Sequence, residues 1–182
     1  MRIVEKHITL KNGVRCIIRN AEAKDAQQMI DNLKSTAKET DFLLRYPEEV
    51  DYTIEQEQKI LSDYADSALS LMLVAEIDGV IVGICNLSPA GKRSKVLHRC
   101  SMGISMVQKV WGLGIGTAMM TVLLENAKEA GYEQIELEVV SENERAIGLY
   151  QKMGFVQTGI IPKALKNQDG SYYSLTLMSR DL

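Results

Sequence analysis

The fold is decided by a glycine-rich turn, Trp111-Gly112-Leu113-Gly114-Ile115-Gly116-Thr117. A β-like run from Val96 to Met106 precedes the turn, and a helical pattern from Gly114 to Ala130 follows it at once. Glycines let a backbone approach a ligand closely and adopt positive φ angles. The first N–H groups of a helix lack partners within the helix, and that end carries partial positive charge. The turn therefore predicts either a pyrophosphate site or a strand-to-helix connection with no role beyond its geometry.

Two common phosphate-binding motifs do not fit this turn. A P-loop requires Gly-Lys followed by Ser or Thr, whereas Gly116 is followed by Thr117 and Ala118. A dinucleotide-binding fingerprint requires a further glycine at the position of Thr117, and it opens the first βαβ unit of its fold. The usual nucleotide-binding interpretations are therefore excluded.

Apolar periodicity on both sides of the turn predicts the element order β-β-α-α-β-β-β-α-β-α-β-β. The predicted elements are strands 7–10 and 15–19, helices 22–39 and 53–66, strands 69–77, 80–87 and 96–106, helix 114–130, strand 134–140, helix 141–153, and strands 155–161 and 172–178. Asn12-Gly13 and Asp78-Gly79 are typical of hairpin turns. Capping-box patterns at Thr53 and Ser141 indicate helix starts. We expect one α/β domain over residues 1–182, with helices on both faces of a mixed sheet.

Composition excludes several classes of protein. A net charge of −3 gives no reason to expect nucleic acid as a partner. No apolar run approaches the roughly 20 residues of a membrane span, and the N-terminus lacks the apolar core of a signal peptide. Cys16, Cys85 and Cys100 lie in strand-like runs, which predicts buried thiols in a reducing cytoplasm. His7 and His98 are far apart in the sequence, so we expect no metal site.

Three segments in order resemble the GNAT superfamily of acyl-CoA N-acetyltransferases, and the resemblance extends from about Arg15 to Ser179. The run from Gly103 to Met106, followed by the glycine turn, is similar to the family's fourth strand and pyrophosphate loop. Leu137 to Ala146 is similar to its fifth strand and the start of its last helix. Leu149-Tyr150-Gln151-Lys152-Met153-Gly154-Phe155 is similar to its "LYEKLGF" ending.

The resemblance implies a mostly antiparallel, twisted sheet that splits between the fourth and fifth strands. It also implies acetyl-CoA as cosubstrate. Residues 1–14 would be an N-terminal β-hairpin extension of the domain. The turn departs from the family at Trp111, where Gln or Arg is usual, so this side chain is expected to cover the cofactor or to pack on the sheet.

The resemblance also assigns roles to individual residues. The implied cofactor-binding residues are Ile104, Met106, Val107, Trp111, Gly112, Leu113, Gly114, Ile115, Gly116, Thr117, Asn143 and Tyr150. Backbone groups of Met106 and Val107 would pair with the pantetheine arm like an added strand and polarise the thioester carbonyl. Asn143 would bind the pantetheine arm or nearby backbone. Tyr150 would be catalytic, because a phenol can donate a proton or a hydrogen bond to the leaving thiolate.

Spacing alone leaves the roles of these two residues open. Asn143 and Tyr150 are seven residues apart, about two helical turns, so their side chains point to the same side. Without the flanking motif, the same residues also fit a polar helix start and a core tyrosine.

No general base is assigned. Ser101 stands where many relatives have a glutamate. Strand alternation would place His98 on the face opposite Ser101. Glu76, Glu136 and Glu138 are further candidates, although charged strand faces are usually solvated.

The predicted function is acetyl transfer to a primary amine of a small molecule or a protein N-terminus, by direct attack in a ternary complex. The segment Phe42–Tyr52 would shape the acceptor site. Neither a membrane nor a nucleic acid is expected as a partner, and a homodimer is left open. The alternatives are a non-catalytic acyl-CoA-binding or sensing module, and a structural dimer unit with a vestigial loop.

Overall fold

The computed structural model describes residues 1–182 and has the element order that the sequence predicts. The strands are β1 (Lys6–Thr9), β2 (Arg15–Asn20), β3 (Leu71–Ile77), β4 (Val80–Pro89), β5 (Arg99–Met106), β6 (Gln134–Val140), β7 (Val156–Lys166) and β8 (Tyr172–Asp181). The helices are α1 (Ala26–Glu39), α2 (Ile54–Asp66), α3 (Ile115–Glu129) and α4 (Glu144–Lys152). No helix combines the length and the apolar character that crossing a membrane requires.

One eight-stranded sheet runs through the molecule in the order β1-β2-β3-β4-β5-β6-β8-β7. Every neighbouring pair is antiparallel except β5 and β6. These two strands pair only from Arg99 to Ser101 on β5 and from Gln134 to Glu136 on β6, and they separate beyond that point. The mixed sheet is confirmed, with a split between the strands that correspond to the family's fourth and fifth.

Two apolar clusters join the helices to the sheet. On one face, Met29 of α1 and Leu61 of α2 pack with Val74 and Ile84 of the sheet. The larger cluster contains side chains of α3 and α4, among them Met119, Leu123 and Tyr150, together with Leu73 and Cys85 from the sheet. Helices therefore lie on both faces, which buries the apolar side of every central strand.

The predicted strand 96–106 begins too early. Residues 94–96 form a 3₁₀ turn, and β5 starts only at Arg99. The carbonyl of His98 accepts hydrogen bonds from the N–H groups of Glu133 and Gln134, at 2.8 and 3.2 Å, which holds His98 in the turn before the strand. Because His98 lies outside β5, the prediction that strand alternation places it on the face opposite Ser101 does not apply.

The predicted capping box at Ser141 is also wrong. The N-cap of α4 is Asn143, whose Oδ1 accepts the N–H of Ala146 at 3.1 Å. The Ser141 hydroxyl instead hydrogen-bonds with Thr176 on β8 at 2.9 Å. The capping box at Thr53 is confirmed, since its hydroxyl accepts the N–H of Gln56.

Candidate active site

The glycine turn leaves open space in front of the N-terminus of α3. Gly112 and Gly114 have φ angles of +77° and +102°, in the left-handed region that favours glycine. A Cβ placed on either residue would meet no atom within 4 Å. Gly114 is the N-cap and has no side chain to satisfy the first N–H groups of the helix, so these groups remain free for an anion.

Gly116 has a different role from the other two glycines. Its φ is ordinary, but a Cβ at this position would lie 3.0 Å from Cδ2 of Leu149 and 3.2 Å from Cε of Met106. A larger residue here would have to displace the ends of these side chains, because α3 packs closely against α4 and β5. This contact brings the turn, the last helix and the split strand to one place.

The free edge of β5 faces the split. The N–H of Val107 donates to the carbonyl of Val82 at 3.1 Å, so this amide belongs to the β4 side of the strand. Backbone groups of successive residues in a strand point to opposite sides. Those of Ile104 and Met106 therefore point toward β6, where pairing has already ended at Ser101. Met106 and Ile104, rather than Val107, have amides that face the opening.

Trp111 anchors the turn to this edge. Its indole Nε1–H donates to the carbonyl of Met106 at 2.8 Å. The guanidinium of Arg145, in the first turn of α4, lies 4.9 Å from the centre of the indole ring. Trp111 thus links β5 to α4 and also lines the adjacent cavity.

Tyr150 is buried, with 7% of its surface exposed, and it faces the same cavity. Its ring packs against Phe155 at a centroid distance of 6.0 Å. Its hydroxyl has no hydrogen-bond partner in the protein. Burial, together with the nearby Cys85 thiol, raises the pKa of Tyr150. The phenol is therefore protonated at neutral pH and can donate a hydrogen bond into the cavity.

Asn143 combines a structural role with a place in the site. Its Oδ1 caps α4 through the N–H of Ala146, while the residue also lines the cavity. Its amide nitrogen makes no hydrogen bond within the protein. The helix-start and ligand-binding interpretations of Asn143 are therefore compatible, because they use different atoms.

A cavity of about 1020 Å³ connects these features. Most of the residues implied by the resemblance line it, namely Ile104, Met106, Trp111, Gly112, Gly114, Gly116, Thr117, Asn143 and Tyr150. The side chains of Val107 and Ile115 are buried in the core instead. Leu113 packs against that core, and its carbonyl accepts the N–H of Lys11 at 3.3 Å.

The cavity continues between α1, α2 and the sheet. Apolar side chains line this part, including Met29, Leu33, Ile60, Met72 and Ile84. We refer to this part as the acceptor half, after the role proposed for it below.

Two segments meet beside the acceptor half. Of the predicted segment 42–52, Phe42, Arg45 and Tyr52 line the cavity together with Leu43 and Leu44, whereas its glutamates do not. The ring of Phe42 packs edge-on against Tyr173 of β8 at 6.0 Å. The hydroxyl of Tyr46 accepts the N–H of Gln168, in the β7–β8 loop, at 2.9 Å.

Among the candidate bases, only Glu138 lines the cavity. Ser101 and His98 do not. Glu76 is paired with Arg19 at 2.7 Å, and Glu136 is paired with Arg99. These two carboxylates therefore serve as partners of arginines within the sheet.

Glu57 was missed by the sequence reasoning. It is 3% exposed, it lines the cavity, and its carboxyl group forms no hydrogen bond or ion pair with the protein. Burial raises its pKa, against the opposing charge of Arg45. A signal was present in the sequence, because Glu57 falls on the inward stripe of α2, three, four and seven residues before Ile60, Leu61 and Tyr64.

The chain belongs to the acetyltransferase (GNAT) family, whose family model matches residues 31–155. The protein is therefore an acetyltransferase. It is 29% identical over 172 residues to the N-alpha-acetyltransferase of Sulfurisphaera tokodaii, covering 89% of this chain and 93% of that protein.

Solved structures of the family have the same fold. The acetyltransferase of the GNAT family from Streptococcus pneumoniae superposes with a TM-score of 0.87 at 30% identity, covering 92% of this chain and 99% of that one. The acetyltransferase yncA from Salmonella typhimurium, solved with its cofactor acetyl-CoA, superposes with a TM-score of 0.80 at 18% identity. It covers 91% of this chain and 92% of that one.

Proposed function

We propose that this enzyme transfers the acetyl group of acetyl-CoA to a primary amine by direct attack in a ternary complex. The observation that carries the proposal is Tyr150, a protonated phenol in the cavity whose hydroxyl lacks a protein partner. The hydroxyl opens to the cavity rather than to the closed core, so a ligand can provide the partner that the protein does not. A thiolate leaving from acetyl-CoA would supply one at the moment when its charge develops.

The pyrophosphate would bind at the turn from Gly112 to Gly116. Free N–H groups and the partial positive charge of the α3 N-terminus favour an anion there. Lys11 and Arg145 line the cavity beside the turn and add positive charge. The pantetheine arm would continue along the open edge of β5 and pair with the backbone of Ile104 and Met106, with the Asn143 amide as a further donor.

In the reaction, the amine nitrogen attacks the thioester carbon, a C–N bond forms, and the C–S bond breaks. The Met106 N–H, which faces the split, would stabilise the developing oxyanion. Tyr150 donates a hydrogen bond or a proton to the departing sulfur. This role requires no metal.

The acceptor is proposed to be a primary amine of a small molecule or a protein N-terminus. The Sulfurisphaera tokodaii relative bears the name of an N-alpha-acetyltransferase. The acceptor half combines apolar walls with one buried carboxyl group, which suits an amine on an apolar body.

Three further predictions concern the whole chain. We propose a single N-acetyltransferase domain over residues 1–182, in which residues 1–14 extend the sheet by β1. A cytoplasmic setting is proposed on the basis of three free, buried cysteines. A homodimer stays a prediction, which sedimentation would test.

A thiol-release assay with acetyl-CoA tests the function. We expect release of free CoA with at least one member of a panel of alkylamines, amino acids, polyamines and peptides with free N-termini. Tight binding of acetyl-CoA without release for any acceptor would contradict the proposal and favour a sensing module.

A further inference from the structure

Glu57 is the one carboxyl group that is both buried and part of the cavity wall. It projects from the first turns of α2 beside Ile60 and Tyr64, which line the cavity at the following positions on the same helical stripe. The residue is 3% exposed, and its carboxyl group has no hydrogen-bond or ion-pair partner in the protein and opens to the cavity rather than to the closed core. A cationic ligand in the acceptor half would provide the missing partner.

Two polar side chains, Tyr64 and Asn86, lie in the otherwise apolar wall between α2 and β5. Asn86 of β4 lies within 3.4 Å of the Tyr64 hydroxyl through its amide nitrogen. Its amide oxygen would be 2.9 Å from a Cβ at Gly103, so a larger residue there would displace the end of the Asn86 side chain. Tyr64 and Asn86 therefore place hydrogen-bonding groups between α2 and β5.

Amine acylation needs a proton acceptor on this side. A primary amine is mostly an ammonium ion at neutral pH, and an ammonium ion has no lone pair with which to attack a carbonyl. Tyr150 cannot serve, because its buried phenol is already protonated. The amine therefore has to lose a proton either to an ionisable group that lines the acceptor half or to water.

Few other ionisable groups line the acceptor half. The loop before α2 contributes Arg45 and Tyr52, which hydrogen-bond to each other at 3.1 Å. Elsewhere on the cavity wall, α2 contributes Tyr64, β6 contributes Glu138 and α4 contributes Lys152, and the last two are exposed. The lining residues from α1, β3, β4 and β5 carry no charge. Glu138 is thus the only rival carboxylate, and water competes for it as a partner.

We propose that Glu57 binds the ammonium group of the acceptor and is the general base that takes a proton from it; this inference rests on the proposed acetyl transfer. The ammonium gives one proton to the Glu57 carboxylate, and the free amine attacks the thioester carbon. The second nitrogen proton leaves as the C–N bond forms and the C–S bond breaks, and it replaces the proton that Tyr150 provides to the thiolate. Glu57 then releases its proton to solvent, so the products are the N-acetyl amide, CoA thiol and one proton.

The test compares Glu57→Gln with the wild type in acetyl-CoA turnover, using ethylamine and its mono-, di- and trifluorinated analogues, whose basicity falls along the series. We expect kcat/KM for ethylamine at neutral pH to fall by about 10²-fold or more. The deficit should shrink toward trifluoroethylamine, which is already unprotonated. Kd for acetyl-CoA should stay unchanged. Glu55→Gln, an exposed change on the same helix, is the matched control and should behave as the wild type.

The pH profile provides a second readout. In the wild type, kcat/KM should fall on the acidic side at a pH above the ordinary carboxyl range, because Glu57 cannot accept a proton once protonated and burial raises its pKa. In Glu57→Gln this limb should be absent, and the rate should rise with pH as the amine deprotonates.

The outcomes separate the two proposals. If the wild type turns over these amines and Glu57→Gln matches it in rate and pH profile, Glu57 is not the base, while acetyl transfer stands. The same conclusion follows if Glu138→Gln removes the acidic limb instead. If the wild type binds acetyl-CoA but acetylates neither these amines nor any member of the broader panel, both proposals fail. A folding defect in Glu57→Gln is recognised by lost affinity for acetyl-CoA. In that case Glu57→Asp, which keeps the carboxyl group, should show the acidic limb of the pH profile. A Glu57→Asp profile without that limb overturns the assignment.

Discussion

Tyr150 combines a buried ring with a hydroxyl that opens to the cavity and has no partner in the protein. Packing against Phe155 fixes the ring, and the rest of the cavity wall leaves the hydroxyl free. Burial raises its pKa, so the donor form persists through the alkaline range in which an exposed tyrosine would begin to ionise. A protonated phenol in this position suits the proposed role of stabilising negative charge on a leaving group.

Replacing Tyr150 by Phe tests this role. We expect kcat to fall by about 10²-fold, the typical effect of removing a positioned donor, while the Kd for acetyl-CoA changes little. Steady-state kinetics measures kcat, and calorimetry measures the Kd for acetyl-CoA, so the two effects are separated.

Tyr132→Phe is the matched control. The Tyr132 hydroxyl donates to the Leu69 carbonyl at 2.8 Å, outside the cavity. This change should lower the free energy of unfolding by about 1 kcal/mol and leave kcat unchanged. Equal kcat in Tyr150→Phe and the wild type would remove Tyr150 from the mechanism.

The N-terminal turn of α3 depends on glycine for two separate reasons. Gly112 and Gly114 need left-handed backbone angles next to open space, whereas Gly116 leaves room for the side chains of Leu149 and Met106. The first property creates room for a ligand, and the second fixes α3 against the strand that the ligand is proposed to pair with. Trp111 completes the arrangement by its bond to the Met106 carbonyl.

Gly114→Val should weaken acetyl-CoA binding by roughly tenfold or more. A β-branched residue is strained at φ of +102°, and a shifted turn would misdirect the free N–H groups; a loss of about 1.4 kcal/mol corresponds to tenfold. Isothermal calorimetry with CoA and with acetyl-CoA measures the effect.

Gly131→Val provides the comparison for strain alone. Gly131 has φ of +86° at the opposite end of α3, away from the cavity. The Gly131→Val change should lower the free energy of unfolding by about 1–2 kcal/mol and leave the affinity for CoA unchanged. Equal CoA affinity in Gly114→Val and Gly131→Val would contradict the phosphate assignment.

The assembled molecule forms its site where the sheet separates. Because β5 and β6 pair only up to Ser101, the backbone of β5 beyond that residue is left open to a ligand. Helices on both faces and the segments around Phe42 and Tyr173 enclose the resulting space. The two substrates are thus expected to enter from different parts of one cavity.

Phe42→Ala tests the acceptor end. Loss of the ring pair with Tyr173, worth about 0.5–1.5 kcal/mol, should loosen the contact between the loop and the β7–β8 hairpin. We expect the KM for the acceptor to rise by roughly two- to tenfold while the KM for acetyl-CoA is unchanged. Tyr172→Ala, an exposed neighbour on β8 that does not line the cavity, should alter neither constant. If Phe42→Ala raised only the KM for acetyl-CoA, the assignment of this end of the cavity to the acceptor would be contradicted.

Much of the architecture could be predicted from the sequence. The element order, the hairpin turns and the cap at Thr53 depend on contacts between residues close in the chain, so local patterns report them. The predicted cap at Ser141 failed because its hydroxyl is used by Thr176, 35 residues away. The strand before the turn was predicted too long because the His98 carbonyl accepts hydrogen bonds from the N–H groups of Glu133 and Gln134, which are distant in the sequence.

Local chemistry along the chain was sufficient to locate the glycine turn, the helix it opens and the family to which the protein belongs. Only the folded chain decided which atoms are free. It paired the Val107 amide with Val82, gave the Met106 carbonyl to Trp111, and turned Glu57 inward without a partner. The physical reason is that backbone conformation is set mainly by neighbours in sequence, whereas burial and hydrogen-bond satisfaction depend on elements that meet only when the sheet and helices assemble.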